Sequence, residues 1–72
     1  MDSRIKKRKL ELSQVYEYGD YRAEIEPGIT HPFIIYKKWY DKQVDAFVVE
    51  HQEVALTLEE AEKIVEIWLL EK

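Results

Sequence analysis

Residues Thr57 to Leu70 read TLEEAEKIVEIWLL, and no other stretch limits the fold so narrowly. Thr57 followed three residues later by Glu60 is a capping box. In that arrangement the hydroxyl accepts from an early helical N–H and the carboxylate reaches back to the N–H of the cap residue. Glu59, Glu60 and Glu62 then occupy the first turns, where the positive end of the helix dipole favours them. At about 100° per residue, Leu58, Ala61, Ile64, Val65, Trp68 and Leu69 fall within an arc of roughly 140°, with Glu59, Glu62, Lys63 and Glu66 opposite. Such a helix buries one side and needs a surface to cover. Ile67 and Leu70 depart from the pattern. They are neighbours on the helix surface and project from the charged side, either as large apolar residues left partly exposed, as is common, or as an extension of apolar surface toward a second subunit.

The surface to be covered is written upstream as alternation. Leu10, Leu12, Tyr16 and Tyr18 share one face with Gln14 between them, and Glu11, Ser13 and Glu17 share the other, the period of a strand with one wet side. Gly19-Asp20 suits a two-residue hairpin turn with glycine first, and Tyr21 to Glu26 alternates again. With that loop Tyr18 opposes Tyr21, Glu17 opposes Arg22, Tyr16 opposes Ala23 and Gln14 opposes Ile25. The apolar faces then coincide and an opposite-charge pair lands cross-strand.

Pro27-Gly28 marks a turn. Pro32 can start a strand but not sit inside a central one, which predicts the next strand over Phe33 to Tyr40. Asp41-Lys42-Gln43 is the expected reversal and Val44 to His51 the return, with Lys38 opposite Asp45 if the loop holds two residues. Gln52 to Leu56 either continues that strand past a bulge or links it to the helix. Phe33, Ile35 and Trp39 point one way while Ile34, Tyr36 and Tyr40 point the other, and strands apolar on both faces are covered on both. One helix covers one face, so the other is an expected contact surface. The fold class is therefore α+β: a four-stranded antiparallel meander in the order ββββα, with one C-terminal helix packed on one face.

A chain of 72 residues is one domain at most, with a core that is marginal without help. Small domains recruit disulfides, metals or oligomerisation. The absence of cysteine leaves oligomerisation, and a homodimer is expected. No run of about 18 apolar residues is present for a membrane span, and the basic start lacks the apolar segment of a secretory signal, so the expectation is a cytoplasmic protein without membrane association. Abundant Lys and Glu with no Asn or Cys lean toward a thermophile's usage.

The formal charge of −4 is unevenly spread: residues 1–9 carry Arg4, Lys6, Lys7, Arg8 and Lys9 against Asp2, a net of +4 that leaves −8 for the rest. Residues 1–9 read as a loosely ordered basic arm and residues 10–72 as a single domain. A basic arm ahead of an acidic body is also the pattern of nucleic-acid-binding arms.

Little in the chain suggests catalysis. Ser3, Ser13, Thr30 and Thr57 are the only serines and threonines, and Thr57 already serves as a cap. His31, His51 and Glu53 lack ligand spacing on a single element. Gly19 and Gly28, both in turns, leave no glycine-rich phosphate loop. The expectation is no enzyme, no cofactor and no metal.

Tyr36-Lys37-Lys38-Trp39-Tyr40 interleaves rings with cations, as a single-stranded nucleic-acid surface requires: flat faces for bases and charge for phosphates. The same lysines also suit the plainer duty of blunting a strand against unwanted pairing. The predicted strand order, this basic-aromatic strand and the helix start EVALTLEEAEKI together resemble the positive cofactor four family of transcriptional coactivators, over residues 33 to 68. The resemblance implies dimers formed through helix and sheet and single-stranded DNA bound on the concave sheet surface. Lys37, Lys38, Trp39 and Tyr40 match the basic-aromatic strand, and Leu56 to Ala61 the helix start. The chain departs from the pattern where the family has a glycine, here Val54 or Glu53, and where basic residues are replaced by Glu50, His51, Gln52 and Glu53. The T-x-E-E-A start is shared with DNA readers of the plant ethylene-response type.

Two functions follow. One is a small dimeric nucleic-acid-binding or transcription-associated protein using Lys6, Lys7, Arg8, Lys9, Arg22, Lys37, Lys38, Trp39 and Tyr40, with single strands favoured. The other is an acidic protein-interaction module, a small accessory, viral or host-modulating protein docking through the spare sheet face on a basic partner.

Overall fold

A computed structural model describes residues 2–70. Five strands, β1 (Lys6–Lys9), β2 (Gln14–Tyr18), β3 (Tyr21–Pro27), β4 (Phe33–Asp41) and β5 (Ala46–Ala55), precede one helix, α1 (Leu58–Leu70). The strands lie in chain order as one antiparallel sheet. The class is α+β as the patterning implies, but with five strands where four were expected.

The additional strand is the stretch whose composition suggested a loose arm. Lys6 pairs with Glu17, Lys7 with Tyr16, Arg8 with Val15 and Lys9 with Gln14. A run of Lys and Arg has no hydrophobic alternation to reveal a strand; its partners come from elsewhere in the chain. Ile5, just before it, is buried in the core. Leu10 to Ser13, expected to belong to the following strand, forms the reversal between β1 and β2, with the Leu10 N–H donating to the Ser13 carbonyl at 2.8 Å. Leu12 is left 77% exposed there.

The β2–β3 hairpin matches the expected register at every pair from Gln14↔Ile25 to Tyr18↔Tyr21. Gly19 has φ 61, the left-handed conformation that only glycine enters without penalty. Gly28 is held by a close approach instead: a Cβ there would run into the carbonyl oxygen of His31.

The β4–β5 hairpin differs from expectation. Its loop spans residues 42–45, so Asp41 pairs with Ala46 and Lys38 with Val49, not with Asp45. Two aspartates account for the longer loop. Asp41 Oδ1 accepts from the Gln43 N–H at 2.9 Å, and Asp45 takes φ 54, a conformation Asp tolerates better than most residues. Of the two alternatives for Gln52 to Leu56, the chain takes the bulge: β5 runs on to Ala55, with a register shift at Lys37/Lys38 that leaves Glu50 as the extra residue.

α1 crosses one face of the sheet. Its Ala61, Val65 and Leu69 are buried against Ile5, Tyr16, Ala23, Ile25, Ile35 and Ala55, with Leu58, Ile64, Trp68 and Leu70 partly buried around them. The small side chains of Ala23 and Ala61, both fully buried, keep the helix close to the sheet. Leu70 thus joins the rim of the core, contrary to the expectation that it projects from the charged side; only Ile67 stays half exposed, at 52%. Thr57 Oγ1 accepts from the Glu60 N–H at 3.1 Å, while Glu60 Oε2 accepts from Leu56 at 3.3 Å, one residue earlier than a strict capping box places it. Among the described residues no helix is long and apolar enough to cross a membrane.

Candidate nucleic-acid interface

Side chains alternate across a sheet, so contacts to α1 sort the strands into a covered and an open face. Tyr16, Ala23, Ile25 and Ile35 touch the helix side. Their neighbours Val15, Glu17, Arg22, Glu24, Glu26, Ile34, Tyr36, Lys38 and Tyr40 therefore form the open face, joined by Lys6 and Arg8 of β1 and by Phe47, Val49, Gln52 and Val54 of β5.

The nine residues singled out in the sequence are divided by this sorting. Lys6, Arg8, Arg22, Lys38 and Tyr40 lie on the open face. Lys7, Lys9, Lys37 and Trp39 lie on the helix side. Lys37 there lines a cleft between the end of α1 and the β2–β3 turn, together with Tyr18, Tyr21 and Trp68. Its Nζ lies 3.1 Å from Glu50 Oε2 and 5.2 Å from the centre of the Tyr21 ring. Trp39 is 38% exposed and is not part of the core cluster around the helix.

At the middle of the open face Arg22, Lys38 and Glu24 meet. Glu24 Oε2 receives a hydrogen bond from Lys38 Nζ at 3.0 Å and lies equally close to Arg22 Nε. The Arg22 Nε–H is not aimed at it and has no hydrogen-bond partner among the described residues, so that contact is an ion pair without a hydrogen bond. Two cations thus share one carboxylate. Arg22 also lies 5.2 Å over the Phe47 ring and Lys38 6.0 Å over the Tyr36 ring, within reach of cation–π attraction. Tyr40 meets Phe47 edge to face, with centroids 5.5 Å apart. The result is a patch in which three rings alternate with two cations.

The sequence motif already held Tyr36 among its interleaved rings, though not among the nine residues, whereas Phe47 was missed. Tyr36 shares the parity of Lys38 and Tyr40 and was legible on that ground. Phe47 reaches Tyr40 only through the longer loop. Glu24 went unnoticed because nothing in its own strand marks it as the acceptor for a lysine one strand away.

Over the strands, the open face carries Lys6, Arg8, Arg22 and Lys38 against Glu17, Glu24 and Glu26, a net of +1. α1 carries Glu59, Glu60, Glu62 and Glu66 against Lys63, a net of −3. The acidic excess of the chain therefore sits largely behind the sheet. Part of the open face is already sealed: Val15, flanked in register by Arg8 and Glu24, is fully buried, as expected when long charged side chains lay their stems over an aliphatic one. Arg8 is itself paired with Glu17 at 3.1 Å.

On the other face Lys7 Nζ reaches Glu62 at 3.0 Å, and the Tyr16 hydroxyl donates to the same carboxylate oxygen at 2.8 Å. A phenol has one proton, so Gln14, whose amide lies 2.7 Å from that hydroxyl, is satisfied when it turns its NH2 toward the phenol oxygen. Burial, then the bond to Glu62, pushes the Tyr16 phenol well above its ordinary value. Burial also opposes the charge on Glu62, but the hydrogen bonds from Tyr16 and Lys7 outweigh it and hold the carboxyl below its usual range. His51 Nε2 lies 3.2 Å from Glu53 Oε1; His31 stands apart in the β3–β4 loop. Among the described residues no group of three or more His, Cys, Asp or Glu side chains could hold a metal ion.

Fold and site together define a one-helix α+β sheet domain whose uncovered face mixes aromatic and basic side chains. No protein-family model, curated protein or solved structure matches the chain.

Proposed function

We propose that the open face of the sheet binds single-stranded nucleic acid. The observation that carries this is the alternation of Arg22 and Lys38 with Tyr36, Tyr40 and Phe47 on one uncovered surface, on the side of the molecule away from the acidic helix. Rings of this kind stack on bases whatever their sequence, and the neighbouring cations neutralise phosphates. Sharing of Glu24 by two cations supports the same reading, because a phosphate can take over one of them without stranding the carboxylate. Of the four strand residues that carry the resemblance to the positive cofactor four family, Lys38 and Tyr40 lie on this face and Lys37 and Trp39 on the other.

Fluorescence anisotropy with labelled single-stranded DNA and RNA tests it. Affinity is expected to fall as salt rises, because each neutralised phosphate releases counterions, and a duplex is expected to bind more weakly. Phe47→Ala or Tyr40→Ala is expected to weaken binding about tenfold, the scale of one lost base stack. No binding at low salt ends the proposal.

One observation favours the acidic protein-interaction module instead. Lys7, Arg8, Arg22, Lys37 and Lys38 all have a carboxylate partner within the chain, and the helix offers glutamates around an exposed Ile67 to a basic protein. Under that alternative oligonucleotides do not bind at any salt concentration.

A further inference from the structure

The two edges of the sheet are unlike. β1 is four residues long and every one is Lys or Arg, which blunts it against pairing with its own copy. β5 is ten residues long and, among the described residues, unpaired along its outer side, with Phe47, Val49 and Val54 at 38%, 56% and 41% exposed. We infer that β5 pairs antiparallel with β5 of a second copy of this chain, about a two-fold axis between Glu50 and His51, to make one continuous ten-stranded sheet.

The bulge is what permits that axis. In an unbroken strand adjacent residues face opposite sides, so an axis between two of them would set unlike faces against each other. Here Lys37 pairs with His51 and Lys38 with Val49, and Glu50 is extra. Glu50 reaches Lys37, and the His51 ring meets Trp68 of the helix edge on at 5.4 Å. Both residues therefore lie on the helix side, and the alternation changes phase between them.

With Glu50 opposite His51 of the second copy, Val49 meets Gln52, Val48 meets Glu53, Phe47 meets Val54 and Ala46 meets Ala55. Each pair shares a face. Sliding the register by one or two residues in either direction opposes an open-face residue to a helix-side one. The strand is thus self-complementary in one register, and symmetry supplies every pair twice, including an acid against a histidine and an aromatic ring against a branched aliphatic side chain, both favourable cross-strand combinations. An isologous contact of this kind closes at two copies. It stands whether or not the open face binds nucleic acid.

Light scattering on the full chain at micromolar concentration, without nucleic acid, tests the inference. The expected mass is that of two chains. Val49→Lys, at an exposed site, should raise the dimer dissociation constant about tenfold or more, since two cross-strand pairs are lost at once. Glu50→Lys should do the same, and adding His51→Glu should restore the dimer by setting an ammonium opposite a carboxylate across the axis, which separates loss of pairing from loss of folding. Ile67→Lys, on the helix, should leave the mass unchanged. A monomer mass for the parent chain, a mass above two copies, or a dimer lost with Ile67→Lys and kept with Val49→Lys would overturn it.

Discussion

Tyr16 ties the sheet to the helix more directly than any other side chain. Its ring is fully buried, and its hydroxyl gives its one proton to Glu62. Tyr16→Phe keeps the ring and removes the bond. The expected loss is about 1–2 kcal/mol in urea denaturation, the lower part of the range for bonds to charged groups because Glu62 keeps some contact with water. Lys7→Ala should lose less than about 1 kcal/mol, as exposed ion pairs do. The pH dependence follows from the two directions of shift. Glu62 is depressed below its ordinary 4.5, so its contribution is full above that value and is lost as pH falls through the lower folded value. Tyr16 is raised above its ordinary 10.0, so its contribution is full below pH 10 and is lost as pH rises toward the folded value. Thermal melts across pH should show both flanks, and Tyr16→Phe should flatten the alkaline one. At this scale the sequence is an incomplete guide. Lys7 and Arg8 are adjacent and alike in composition, yet one is held by the helix and the other by Glu17 across the open face. Which of two neighbouring cations remains free for a ligand depends on partners in other strands.

Elements were legible where their signals are local. The stripe of α1 and the β2–β3 hairpin could be read because a helix carries its own period and a two-residue loop dictates its own register. The β4–β5 loop could not, since its length depends on Asp45 entering a left-handed conformation that the residue type allows without requiring it. β1 was hidden for a different reason: its pairing is made by Glu17, Tyr16 and Glu62, none of which lies within it. The helix gives a graded test of burial. Leu69→Ala, at a nearly buried site, should cost about 2–4 kcal/mol, whereas Ile67→Ala, half exposed, should stay within about 0.5 kcal/mol. Trp68 is only partly buried, so its truncation belongs between the two, and not at the 3–5 kcal/mol typical of a fully buried tryptophan. Equal losses at Leu69 and Ile67 in denaturant titrations would mean that the helix presents another side to the sheet.

For the molecule as a whole the decisive issue is whether its first residues belong to the fold. A sheet of five strands under one short helix has little core to spare, and Ile5, 7% exposed, is one of the residues that closes it. If residues 1–9 were a solubilising tail, changes there would leave stability untouched and alter only ligand affinity. With β1 in place the outcomes separate. Ile5→Ala should cost about 2–3 kcal/mol, which in a domain of this size lowers Tm by roughly 10–20 °C, with no change in charge. Lys6→Gln, on an exposed open-face side chain, should leave Tm within about 2 °C, as surface changes usually do, while weakening any salt-dependent binding to nucleic acid. Deleting residues 2–9 should do both, since it removes the buried Ile5, exposes the ladder of β2 and strips four cations from one edge. A calorimetric scan of the three proteins decides it: an unchanged Tm for Ile5→Ala would show that the first strand is not docked, and the positive balance of the open face, which counts on Lys6 and Arg8, would fall with it.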